Sequence, residues 1–478
     1  MEYKKRPLIR KLLEFERANP ASFHVPGHKH GRLSGLPMEL RSALRYDFTE
    51  LEGLDDLHEP VGVIAEAQQL LASTYSSDCS FFLVNGSTVG NLAMVYATCR
   101  AGDTIIVQRN AHKSVFHAIE LTGAKPVYVS PSWNDSTKSA GVLTADTMKR
   151  AIEAYPYAKA VILTYPTYYG TTGNELKDTI EICHSYGIPV LVDEAHGAHF
   201  VAGEPFPKSA LELGADVVVH SAHKTLPAMT MASFLHIKST LVSSQLIAHY
   251  LQMLQSSSPS YILMASLDDA RSYIASYTEE DKATFMIKRL SFIKRLKSSP
   301  RLQTVESDDP LKLLLRMEGY SGFELQRCLE KQGVYSELAD PYQVLFVLPL
   351  LKSETDYPFE ETCRRIQRAI AELDVQHNTN VAVDVPVFNE EISSPVYSFA
   401  KIAELESEWI PFEQSAGRVV AGSIIPYPPG IPFLISGERV SGEDVRYLDE
   451  LQRMGAKFQG AIRVHEKQML VVKKGMEE

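Results

Sequence analysis

The 478-residue sequence holds no G-x-G triplet and no Gly-Lys dipeptide. The first absence removes the dinucleotide fingerprint of nicotinamide dehydrogenases. The second removes the phosphate loop G-x-x-x-x-G-K-[ST], and with it a helicase reading of the "DEAH" at 193–196. An H-E-x-x-H zinc motif is also missing, since "HEKQM" and "HEPVG" both lack the second histidine. Cysteine is sparse: Cys79, Cys99, Cys183, Cys328 and Cys363 are scattered, odd in number and form no C-x-x-C. That excludes a disulfide framework and a structural zinc, and fits a reducing, cytoplasmic setting. No stretch approaches the ~20 apolar residues of a membrane span. The N-terminal "MEYKKRPLIRKLLEFERANP" is charged throughout and lacks the apolar core of a signal peptide. Positive charge is in deficit, with a net charge of −11, which argues against nucleic acid as a partner.

What is present is a globular composition, 45% apolar and 22% charged, in a chain too long for one hydrophobic core. The pattern predicts an N-terminal segment over 1–60, a major domain over 61–300, a small α+β domain over 301–390 and a C-terminal domain over 391–478. From Val61 apolar runs such as "DTIIVQRN", "KPVYVSP", "KAVILTYP", "IPVLVDEA" and "ADVVVHSAH" alternate with segments of helical spacing. Near-continuous apolar strands between helices predict a doubly wound α/β layer with a mostly parallel sheet. "ASFLHIK" adds a further strand and 240–255 a long helix, followed by the Ser/Pro break "SSSPSY". Thr144 is expected to cap one helix and Gly123 to close another.

Ligands of such sheets bind beyond the carboxyl ends of the strands, so the residues there carry the argument. After "FFLV" comes Asn85-Gly86-Ser87-Thr88, opening a helix; after "IIVQRN" come His112 and Lys113; after "VILTYP" come Thr167, Tyr168 and Tyr169. "VLVDEA" ends on Asp193, Ala195 and His196, and "VVVHSAH" on Ser221, His223 and Lys224. "NGST" at a helix start is either an ordinary N-cap or a phosphate cradle of free N–H groups and hydroxyls. Asp193 is either a capping acid or the partner of a buried cation. The pairs His196/His199 and His220/His223 could ligate a metal, but a spacing of three at a strand end need not place both rings together, so no metal is expected. Lys224 either snorkels to solvent or, desolvated, serves as an amine nucleophile for an aldehyde. Cradle, carboxylate, flat ring and lysine are together the parts that hold pyridoxal 5'-phosphate (PLP), with His112 above the ring and Ala195 below.

Seven motifs in order, "FHVPGHKHG", "LDDLHEPVGVIAEAQ", "FFLVNGSTVGN", "RNAHKSVFHAIEL", "VLVDEAHGAHF", "SAHKTLPAMT" and "IIPYPPGIP", span the chain. With them the sequence resembles the Orn/Lys/Arg decarboxylase family of PLP-dependent enzymes, in its short bacterial, arginine decarboxylase-like form. The resemblance implies an aspartate aminotransferase-like major domain with a smaller α+β C-terminal part. It implies that Lys224 bonds the cofactor aldehyde, Asp193 pairs with the pyridine nitrogen and His112 stacks on the ring. Gly86, Ser87 and Thr88, joined by Ser221 and His223, match the phosphate site, and His196 the histidine that contacts cofactor or substrate. Ser258 in "SSSPSY" matches a phosphate contact reaching across a subunit boundary, so a homodimer or dimer of dimers with shared active sites is implied. The implied reaction is α-decarboxylation of a basic amino acid, arginine to agmatine for polyamine synthesis before lysine or ornithine. A catalytically silent regulatory relative is the other class, and it predicts loss of Lys224 or Asp193, both of which stand. An acidic pocket should choose the substrate side chain, and Glu50, Glu52, Asp55, Asp56 and Glu438 are the candidates.

Overall fold

The computed structural model describes residues 5–373 and 391–475. By their contacts these fall into two compact units, one of residues 1–98 and 187–278, the other of 99–186 and 279–478. In the first unit lie helices α1 (Pro7–Arg17), α2 (Val63–Tyr75), α3 (Gly86–Thr98), α4 (Ala222–Thr225), α5 (Ser244–Leu254) and α6 (Tyr261–Ala275). Its strands are β1 (Cys79–Leu83), β2 (Val190–Asp193), β3 (Val217–His220) and β4 (Ser233–Ile237), in the spatial order β1-β4-β3-β2. β2 and β3 run parallel, with Asp193 in register with Val219. Every residue of β2, β3 and β4 is buried, as expected of strands covered on both faces.

"ASFLHIK" does form a strand, β4, but it runs antiparallel to both β3 and β1. The link from β3 holds one helical turn and no crossover helix, and a parallel return needs a crossover. α3 buries Val89, Ala93, Met94 and Val95. It settles closely because of Gly90: a Cβ there would lie 2.8 Å from Val219 Cγ1 and 2.9 Å from Leu83 Cδ1.

The second unit holds the parallel strands Thr104–Gln108, Lys125–Val129 and Ala160–Thr164, with Ile392–Ser393 added antiparallel at the edge. Thr144 caps its helix by accepting from the Thr147 amide at 3.2 Å, and Gly123 closes another at φ +73°. A four-stranded antiparallel sheet follows, Leu302–Glu306, Lys312–Met317, Val344–Val347 and Leu338–Ala339, with helices Gly322–Lys331 and Phe359–Ala371. The C-terminal part adds helix Gly442–Met454 and a terminal hairpin, Ile462–Arg463 against Gln468–Val472. The architecture is thus α/β with mostly parallel pairing in the major part and a smaller α+β C-terminal part. Among the described residues no helix is long and apolar enough to cross a membrane.

Candidate active site

β2 delivers Asp193, which is 4% exposed. Its Oδ2 accepts from Asn91 Nδ2 at 2.9 Å and its Oδ1 from the Ala195 amide at 3.2 Å. Burial pushes this carboxyl above its usual range; the Asn91 amide, the charge of Lys224, the Ala195 N–H and His220 pull it back in part. β3 ends one residue before Ser221, whose Oγ donates to Ser87 Oγ at 2.7 Å. Lys224 itself stands not on the strand but on α4, the one-turn helix that follows, and its Nζ lies 3.0 Å from His196 Nε2. The strand reading of "VVVHSAH" therefore runs three residues too far, because Ser221 starts a turn. His223 turns its Nδ1 to the Ala232 carbonyl at 3.0 Å.

α3 begins at Gly86, so Gly86, Ser87 and Thr88 supply its first amides, which have no partner within the helix. Gly86 has φ +76°, and a Cβ there would meet nothing within 4 Å, so the helix start faces open space. Ser258 is exposed on the link between α5 and α6, where its amide donates to Ser256 Oγ at 3.3 Å and its carbonyl accepts from Ser256 Oγ at 3.2 Å, while the Ser256 amide donates to Asn85 Oδ1 at 3.4 Å. His112 belongs to the second unit. There its Nδ1 accepts from the Ser114 amide at 3.2 Å and pairs with Ser114 Oγ at 2.8 Å. Gly430 of "IIPYPPGIP" lies against its ring edge, since a Cβ at Gly430 would come within 3.0 Å of His112 Nε2.

A polar chain that the sequence did not announce runs behind Asp193. Glu194, wholly buried, accepts from Ser209 Oγ at 2.9 Å and from the Ala210 amide at 3.1 Å, and pairs with His220 Nε2 at 3.0 Å. His220 Nδ1 meets His236 Nε2 at 3.1 Å, and His236 Nδ1 meets Ser80 Oγ at 2.7 Å. Ser80 passes the chain on to Ser77 at 2.7 Å. Burial, then His220, holds the His236 imidazole far below its usual range.

Two of the five acids considered for substrate choice are corrected by their partners. Glu438 is filled by Arg109: Nε to Oε1 at 2.9 Å and Nη2 to Oε2 at 2.6 Å, a bidentate pair within the second unit. Asp55 accepts from the amides of Asp56, Val61, Gly62, Ile64 and Ala65 at 2.8–3.2 Å, which makes it the cap of α2. Asp56 accepts from the His58 amide at 2.8 Å, and Glu52 is exposed. Glu50 differs: Thr49 Oγ1 donates to its Oε2, whereas its Oε1 is buried with no hydrogen-bond partner. A cavity of about 480 Å³ lies within the second unit, lined among others by Trp133, Tyr169, Asp340, Tyr427 and Tyr447, and holds none of the expected catalytic residues.

Fold and site together define an α/β enzyme with a lysine–imidazole pair and a buried carboxylate at neighbouring strand ends. The sequence matches the Orn/Lys/Arg decarboxylase major domain over residues 6–313 and the C-terminal domain of the same family over 378–466. The chain belongs to the Orn/Lys/Arg decarboxylase family. It is 47% identical to the uncharacterized protein YaaO of Bacillus subtilis, covering 97% of this chain and 98% of that one. It is 34% identical to an arginine decarboxylase of Halalkalibacterium halodurans, covering 95% of each. Among solved structures it resembles the Francisella novicida lysine decarboxylase LdcF, with TM-score 0.80 and 18% identity over 98% of this chain and 81% of the other.

The first unit's residues fit the cofactor that the resemblance implies. A Cβ added at Gly86 would meet nothing within 4 Å, and the Ser87 and Ser221 hydroxyls are joined at that helix start. A buried carboxylate whose pKa is raised needs a cation to stay charged, and a protonated heterocycle supplies one. Lys224, with its Nζ 3.0 Å from the His196 ring nitrogen, supplies the amine.

Proposed function

We propose that the protein is a PLP-dependent decarboxylase of a basic amino acid, with L-arginine as the substrate and agmatine and CO₂ as products. The observation that carries this is the convergence of Lys224, His196, Asp193 and the α3 start within one unit. When bound, the cofactor supplies an electron sink for the pair released as the carboxylate leaves. The chain's own residues do the rest. The α3 amides with Ser87, Thr88, Ser221 and His223 hold the phosphate, and Asp193 holds a proton on the ring nitrogen. Ala195 would line one face of the ring, and His112 is the residue that the family pattern gives to the other. Lys224 would supply the amine that meets the aldehyde, and His196, beside it, would hold or move the proton delivered to Cα.

The preference for arginine rests on the 33–34% identity to arginine decarboxylases against 24% to a lysine decarboxylase. Glu50 supports it: a buried carboxylate oxygen without a donor suits a cationic side chain. We also assign a homodimer with Ser258 reaching the neighbouring site. Its support is the exposed apolar stretch of Phe23, Val25, Leu33, Met38 and Leu40, each more than 60% exposed, of a kind that subunit contacts cover. The N-terminal segment 1–60, the major domain 61–300, the small domain 301–390, the C-terminal domain 391–478 and a cytoplasmic location belong to the same reading. The test is CO₂ release from arginine, lysine and ornithine by purified protein, with sedimentation alongside. Arginine should be turned over fastest by a dimer or larger. Deamination without CO₂, or full activity of a monomer, sinks the corresponding part.

A further inference from the structure

Asn91 lies inside "NGSTVGN" but carries no role that spacing or composition reveals. It is 0% exposed on α3, and its Nδ2 donates to Asp193 Oδ2 at 2.9 Å. With the Ala195 amide on Oδ1, both carboxylate oxygens are fixed by donors of the chain itself. Four residues earlier on the same helix, Ser87 accepts from Ser221 Oγ at 2.7 Å. Residues four apart share one helix face. That face is therefore stitched to the ends of two neighbouring strands, β2 through Asp193 and β3 through Ser221.

Gly90 sits on the same face and explains how a side chain as short as asparagine reaches. A Cβ at that position would lie 2.8 Å from Val219 Cγ1, and Val219 is the register partner of Asp193. Only glycine lets α3 come down this far.

We propose that Asn91 is a positioning residue for Asp193, and that α3 acts as a ruler. Its first turn holds the phosphate end of the cofactor, while Asn91, one turn on, fixes the carboxylate that meets the ring nitrogen. The inference rests on the PLP reading above. Among the groups that offset the burial of Asp193, the Asn91 amide is the largest, in keeping with this role.

The experiment compares wild type, Asn91→Ala and Asn91→Asp as apoproteins titrated with PLP and with 1-deazapyridoxal phosphate, which lacks the ring nitrogen. Cofactor affinity and the pH dependence of the bound absorption band are read. Loss of a hydrogen bond to a charged group should weaken PLP by about ten- to a hundredfold and move the pH at which the band changes. The deaza analogue should bind wild type and variants alike, because it asks nothing of Asp193. Equal weakening of both ligands marks Asn91 as merely structural and overturns the inference alone, as does unchanged binding of both. Should Asn91→Ala fail to fold, the near-isosteric Asn91→Asp, which sets an acceptor against an acceptor, carries the same comparison. Failure of the wild type to bind PLP overturns the functional reading and the inference with it.

Discussion

Lys224 Nζ and His196 Nε2 stand 3.0 Å apart, one on the helical turn after β3, the other three residues past the end of β2. An imidazole nitrogen facing an amine at this distance can share a proton with it. On the proposed reading Lys224 serves the cofactor aldehyde and His196 the proton at Cα, and the two roles are separable by experiment. Lys224→Ala should abolish covalent cofactor attachment, read as loss of borohydride labelling at this residue, and reduce CO₂ release below detection. His196→Asn should keep the labelling yet lower kcat by about a hundredfold or more, the usual range for a removed general acid or base. Labelling at Lys113 or Lys29 in the wild type contradicts the assignment.

Glu50 and Glu438 were both candidates for the substrate pocket, and the structure now sets them apart. Glu50 has a buried oxygen awaiting a donor, while Glu438 has both oxygens on Arg109. Glu50→Gln should raise KM for arginine about ten- to a hundredfold with little change in stability, in line with a lost charged hydrogen bond. Glu438→Gln should leave the side-chain preference unchanged and destabilise the fold by about 3 kcal/mol, since Arg109 is then buried without its counter-charge. Steady-state kinetics and denaturant melts of the two variants check the split. A change of substrate preference in Glu438→Gln counts against it.

These contrasts show what the sequence could carry. Strand ends were legible because apolar runs stop there, so Asp193, Ser221 and Lys224 surfaced as polar residues out of place. Asn91 did not, because an asparagine in mid-helix has no local signal; only the approach of α3 to β3 at Gly90 gives it reach. The acids of "LEGLDDLHEP" were legible as charges but not as caps or pocket walls, because their partners are set by the chain's path. Histidine spacing suggested metal pairs; the fold instead sends His196 to Lys224 and His220 to Glu194 and His236. The direction of β4 was hidden because apolar strands read alike in either orientation.

Asp55 caps α2 with five amides, and its removal should be felt in stability rather than in the chemistry. Burial alone would raise its pKa; the amides of Val61, Gly62, Ala65 and Asp56 overcome this and hold it below the usual range. An acid depressed in the folded state stabilises above its unfolded pKa of ~3.9, and that stabilisation fades as pH falls through the lower folded value. Asp55→Ala should therefore cost about 1–2 kcal/mol at pH 7, the range of a lost N-cap, and less at pH 3. Urea melts at the two pH values check this, and an equal loss at both contradicts it.

His236 makes the fold sensitive to acid. It sits wholly buried between His220 and Ser80, against the Tyr75 ring at 4.3 Å and the Phe234 ring at 5.9 Å, with Glu194 beyond His220. Burial and then His220 depress its pKa far below the ordinary value. As pH falls through ~6.5 the unfolded chain takes up a proton at this residue and the folded chain does not. The unfolded state then binds more protons, so stability is complete above that pH and declines below it, by up to about 1.4 kcal/mol per pH unit. His30 and His117 are depressed too and add slope of the same sign, so the comparison needs a variant. His236→Asn should be weaker at pH 7, having lost its ring packing and one of its links to Ser80 and His220. Its decline between pH 6.5 and 5 should be shallower by about one proton. Denaturant melts across that range read the slope directly; an unchanged slope in the variant shows that the acid sensitivity comes from elsewhere.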